Sequence, residues 1–135
     1  MLEKPLVNSL FKTLYFDGSK SSDGAGAGCI LINPKGVKTM LTCILEFEHT
    51  TNIVEYEALL QGMYKAIILD IKYLQVCGDS KIVVKQVRNM MHCISTHLKH
   101  YQSLVQSLTS HFLVFLLFQG FRITKLTFLL TLHQN

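Results

Sequence analysis

No aspartate or glutamate follows Asp79: residues 80–135 are devoid of acid although they still carry Lys and Arg. A site built on carboxylates must therefore draw them from the first 79 positions. Paired cysteine motifs are also missing. Cys29, Cys43, Cys77 and Cys93 lie far apart with no C-x-x-C spacing, and Met1 to Lys12 lacks the apolar run of a secretory signal. Both absences predict reduced thiols in an intracellular, non-secreted protein, with nucleus and cytoplasm left open. Long hydrophobic runs are absent too. The longest, Phe112 to Phe118, is interrupted by Gln119, Arg122 and Lys125, whereas a membrane span takes about 20 residues.

What is present describes a globular chain. Hydrophobic residues make up 49% and charged residues 16%, which excludes a disordered segment. The 135 residues fit one domain, and no repeat or linker divides them. A net charge of +4 permits a polyanionic partner without demanding one.

TLYFD at 13–17 is aromatic and β-prone, and Gly18-Ser19 follows as a turn signal. Residues 21–28 are small and glycine-rich, Cys29 to Ile32 reads as strand, and Asn33-Pro34-Lys35-Gly36 as a tight turn. Val37 to Phe47 resumes a strand pattern, giving three antiparallel strands over 13–47. Asn52 and Glu55 form a capping-box pattern ahead of Tyr56, Leu60, Met63 and Ile67 at helical spacing. A strand at Tyr73 to Cys77 precedes a helix from Asp79 to about Met90. A third helix is marked by Ile94, Leu98, Tyr101, Val105, Leu108 and Phe112. The order predicts an α/β fold, a mixed sheet with helices packed on it.

Asp17, Glu55 and Asp79 are the acids at informative places. Each has a local explanation: a turn for Asp17-Gly18, a capping box for Glu55, a helix N-cap for Asp79. If the first and fourth strands are neighbours, however, their C-terminal ends set Asp17 beside Asp79, and a crossing helix can bring Glu55 over them. Clustered carboxylates repel unless a cation neutralises them, and such oxygen ligands suit Mg²⁺ or Mn²⁺. That is apparatus for metal-assisted phosphodiester hydrolysis. Lys81, Lys85 and Arg88 share a helix face that can touch phosphates or simply face solvent. Gly24, Gly26 and Gly28 lack the G-K-[ST] of a phosphate loop, and Cys93, His97 and His100 lack a fourth zinc ligand.

The stretches YFDGS (15–19), GAGAGCILINPKG (24–36), TTNIVEYEALLQGMYKA (50–66) and LQVCGDSKIVVKQV (74–87) resemble consecutive motifs of the type 1 ribonuclease H family. They are nearest in style to the form in plant long-terminal-repeat retrotransposon polyproteins. The resemblance covers about residues 13–110 and implies a five-stranded ribonuclease H-like domain over 13–111. An N-terminal extension at 1–12 and an atypical apolar segment at 112–135 flank it. It further implies that Asp17, Glu55 and Asp79 are three of four metal-binding catalytic carboxylates, holding two Mg²⁺ or Mn²⁺ ions that serve cleavage of the RNA strand of an RNA–DNA hybrid. Gly18, Ser19 and Asn52 then border the substrate backbone, with Lys81 and Lys85 as further contacts and a reverse transcriptase as a possible companion. Alignment selects Glu55 over Glu57, which is expected to face solvent.

The chain departs from the family at its end. The fourth carboxylate belongs to a last helix after the fifth strand, and QGFRITKLTFLLTLHQN holds no acid, with Phe128 near the missing Asp. The segment reads as a decayed or frame-altered end, or else a divergent terminal strand. The implied activity is correspondingly impaired, or the domain is an inactive nucleic-acid-binding module.

Overall fold

Alternation in KTLYFDGSKS sends Leu14 and Phe16 to one face of the first strand, where both are buried. In the computed structural model, which describes Glu3, Leu6 and residues 9–21, 24–45 and 50–120, these side chains start a single core. The elements in order are β1 (Lys12–Ser21), β2 (Gly24–Ile32), β3 (Lys38–Leu45), α1 (Thr51–Ile68), β4 (Tyr73–Gly78), α2 (Lys81–Val87), α3 (Thr96–Leu108) and β5 (Val114–Gln119). The sheet runs β3-β2-β1-β4-β5. Pairing is antiparallel among β1, β2 and β3, and parallel from β1 to β4 and from β4 to β5. The mixed five-stranded α/β sheet expected from the sequence is therefore the observed one.

Leu14, Phe16, Leu74, Val76 and Leu117 from three strands share the core with residues of all three helices. The helices thus cover the same face, α1 lying across β1 and β2. Tyr56 of α1 is fully buried, donates its hydroxyl proton to Gln86 Oε1 of α2 at 2.9 Å, and stacks on Tyr101 of α3. Gln102 and Gln106 of α3 donate to the Gln86 and Val87 carbonyls at 2.6 and 3.0 Å. These bonds satisfy the open C-terminal end of α2 and lock three helices together. On the other side, buried Gln75 of β4 accepts from Leu6 N–H at 2.7 Å and donates to Leu6 O at 2.8 Å, pinning the N-terminal segment to the sheet.

Several boundaries differ from the sequence reading. The second strand begins at Gly24, ahead of the Cys29 at which the sequence reads as strand, because β2 is paired on both edges and ladder bonds outweigh low glycine propensity. The N-cap of α1 is Thr50, whose hydroxyl accepts from Ile53 N–H at 3.3 Å, so Asn52 lies inside the helix. The N-cap of α2 is Ser80 rather than Asp79. That helix stops before Met90 because Asn89 is left-handed (φ 57°), with Met90 N–H reaching back to Lys85 O. Ser95 caps α3, which leaves Ile94 outside the helix and exposed, while Phe112 falls beyond its end and is buried. The final segment from Phe121 onward, with Phe128, lies outside the described residues, as do Glu46 and Phe47.

Gly78 ends β4 against the Phe16 ring, and a Cβ there would lie 2.3 Å from ring carbons that are themselves buried. Gly78→Ala should therefore lower stability by about 1–3 kcal/mol, as overpacked core positions do. The readout is a lower urea midpoint at unchanged m-value; an unchanged midpoint would contradict the packing account.

Candidate metal centre

Parallel register delivers two of the acids to one place. Tyr15 pairs with Cys77, so two residues farther along each chain Asp17 and Asp79 arrive at the same level. Asp17 is not in a turn, as one local explanation held. It sits within β1, which continues to Ser21 opposite β2, with Asp17 facing Gly28 and Gly18 facing Ala27. Asp79 stands just past the end of β4 and is exposed.

Glu55 comes from α1, in its second turn rather than its first, and is 5% exposed. Its Oε1 accepts from Gly18 N–H at 3.1 Å, so the side chain serves β1 and not a capping box. The glycine is required for this approach. A Cβ on Gly18 would lie 2.6 Å from Val54 Cγ1 and 2.9 Å from the Val54 carbonyl carbon, too close for the helix to remain where it is. Oxygens of Asp17, Glu55 and Asp79 all lie within 4.8 Å of one another.

The electrostatic consequence falls on Glu55. Burial first, then the Asp17 charge with Asp79 adding to it, push its pKa up to about 8 against the Gly18 hydrogen bond that lowers it. Its second oxygen, Oε2, is buried without a hydrogen-bond partner. Three hard oxygen donors and an unsatisfied buried oxygen fit a divalent cation such as Mg²⁺ or Mn²⁺. Among the described residues this is the one cluster of three metal-capable side chains. Cys93 is buried with its thiol toward Ser95 O, and His97 and His100 are exposed, so the zinc alternative gains no support.

The remaining sequence candidates are dispersed around this centre. Asn52 is half-buried on α1, and Ser19 lies in β1 opposite Gly26. Lys81 and Lys85 line a groove of about 440 Å³ beside α2, together with Arg88, Gln119 and Glu3. Glu57 does not simply face solvent: it is half-buried and accepts the Tyr101 hydroxyl hydrogen bond. Two contributors escaped the sequence reading. Tyr56 looked like one more apolar residue, and its partner Gln86 is 30 positions away with no local signal. Glu3 carried no motif at all.

Folded Glu55 keeps its proton to about pH 8, whereas an ordinary glutamate releases it near 4.5. Between those values the folded state binds more protons than the unfolded one, so stability falls as pH rises. In metal-free buffer the loss should be on the order of 3 kcal/mol from pH 5 to above 8. Mg²⁺ or Mn²⁺ should restore stability most at the alkaline end, and Glu55→Gln should flatten both dependences. Thermal melts across pH, with and without cation, check this. A flat profile in the unsubstituted protein would contradict it.

Residues 15–118 match the reverse transcriptase-like family. No curated protein sequence matches significantly. Among solved structures, RNase H1 from the halophilic archaeon Halobacterium salinarum superposes with a TM-score of 0.76 at 21% identity, over 87% of this chain and 88% of that one. The N-terminal RNase H domain of a Mycobacterium tuberculosis protein gives 0.75 at 23% identity, over 87% and 92%. LC11-RNase H1, solved in complex with an RNA/DNA hybrid, gives 0.71 at 19% identity, over 87% and 88%. At these identities the superpositions establish the fold, and the family match establishes membership. The chain accordingly belongs to the reverse transcriptase-like family and has the fold of the RNase H domains it superposes on.

Proposed function

We propose that this domain is an RNA–DNA hybrid endoribonuclease that hydrolyses RNA-strand phosphodiesters with the help of Mg²⁺ or Mn²⁺ held by Asp17, Glu55 and Asp79. The observation that carries the reading is three carboxylates within 4.8 Å, one of them buried with an unsatisfied oxygen. Such ions, two in the arrangement the resemblance implies, supply positive charge where the attacking and leaving oxygens both become more negative. The chain's own residues do the positioning. Gly18 N–H fixes Glu55 Oε1, and the register of β1 against β4 fixes the spacing of Asp17 and Asp79.

Substrate contacts at Gly18, Ser19, Asn52, Lys81 and Lys85 belong to the same proposal, resting on the resemblance and on the basic groove along α2. The hybrid held by LC11-RNase H1 supports this choice of nucleic acid. Membership of the reverse transcriptase-like family supports a reverse transcriptase as companion.

One observation favours a second reading, an inactive hybrid-binding module: residues 80–135 hold no acid, whereas the resemblance implies a fourth carboxylate from a helix after the fifth strand. Losing a group that acts mainly in the transition state commonly costs about 3 kcal/mol.

The test is cleavage of a labelled RNA–DNA hybrid with Mg²⁺ or Mn²⁺, beside single-stranded RNA. Hybrid-specific cutting is expected, with Asp79→Asn slowing it by about 100-fold or more. Folded protein that binds the hybrid without cutting it would replace the nuclease by the binding module.

A further inference from the structure

Along α2, Lys81, Lys85 and Arg88 place three cations on one groove wall. The groove opens at the edge that bears the carboxylates, because Gln119, which closes β5, is level with Gly78, the residue before Asp79. Among the described residues a single anion lines the groove with these cations, and it comes from the far end of the chain. Glu3 forms a parallel bridge with Gly120, its N–H bonding Gln119 O at 2.9 Å. Its Oε1 accepts from Arg88 Nη1 at 2.7 Å and from Gln119 N–H at 2.9 Å.

A carboxylate oxygen held by a guanidinium and a backbone N–H makes the contacts that a phosphate oxygen of nucleic acid takes. We infer that Glu3 occupies a phosphate position of the α2 groove, cancelling Arg88, and that a nucleic-acid backbone uses the full groove only by displacing it. The inference rests on the nucleic-acid reading above and adds to it an internal competitor. Displacement is easy on physical grounds. The side chains are 36% and 38% exposed, and an ion pair so open to water is weak and salt-sensitive. Among the described groove residues Lys81 and Lys85 meet no counter-charge once Glu3 is committed to Arg88, so they bind from the start and Arg88 is the reserve.

The experiment measures affinity of the full chain for a labelled RNA–DNA hybrid across salt concentrations, in chelator so that nothing is cut. Glu3→Gln keeps an oxygen for Gln119 N–H while removing the charge. It should tighten binding several-fold near 0.1 M salt and steepen log K against log salt by about 0.9, the increment for one more phosphate contact. Arg88→Gln should weaken wild-type binding less than Lys85→Gln does, and should abolish the gain when combined with Glu3→Gln. Lys85→Gln should weaken binding in every background. An unaltered affinity in Glu3→Gln, or a gain that survives in the double variant, overturns the inference. So does Arg88→Gln weakening the wild type as much as Lys85→Gln, an arm that holds even if Glu3→Gln folds poorly. Displacement of the hybrid by inorganic phosphate at equal phosphate concentration would reassign the groove to the free anion. If neither the wild type nor Glu3→Gln binds hybrid, the nucleic-acid reading itself falls, an outcome distinct from equal binding by both.

Discussion

A carboxylate buried beside two others is the constraint around which this domain is arranged. Glu55 is nearly excluded from water, shares a radius of 4.8 Å with Asp17 and Asp79, and leaves one oxygen without a partner. An arrangement of that kind is unfavourable in the absence of a counter-charge and is relieved by a proton or by a cation. A proton answers at neutral pH, since Glu55 holds one up to about 8. The site therefore stores a preference for positive charge that the rest of the fold must be firm enough to maintain.

That firmness has identifiable sources. Gly18 allows β1 to touch the backbone of α1, and its N–H holds one Glu55 oxygen in place. The next residue, Tyr56, anchors the same turn of α1 to α2 through Gln86, and α3 closes the set through Tyr101, Gln102 and Gln106. Gly78 does for β4 what Gly18 does for β1, admitting the Phe16 ring immediately before Asp79. Each carboxylate is thus adjacent in sequence to a close-packed residue, so repulsion within the cluster is borne by the core and not by a loop.

Much of this architecture could be read from the residues. The succession of elements followed from hydrophobic patterning, and the meeting of Asp17 with Asp79 from the supposition that β1 and β4 are neighbours, which their parallel register bears out. Errors came where a local signal met a tertiary one. The capping-box spacing of Asn52 and Glu55 was real as a pattern, but Thr50 caps the helix and Glu55 turns to Gly18. Asp17-Gly18 looked like a turn because those residue types favour one, yet pairing with β2 carries the strand on to Ser21. Bonds between distant residues, Tyr56 to Gln86 or Glu3 to Arg88, leave no periodicity to find.

The whole account depends on Glu55 being charged by a cation and otherwise protonated. The most direct measurement is a ¹³C NMR titration of the glutamate side-chain carboxyls, with Glu55→Gln to assign the signal. The expected result is a Glu55 midpoint near 8 in metal-free protein, falling below the ordinary carboxylate range when Mg²⁺ is added. A midpoint near 4.5 that Mg²⁺ does not move would contradict it.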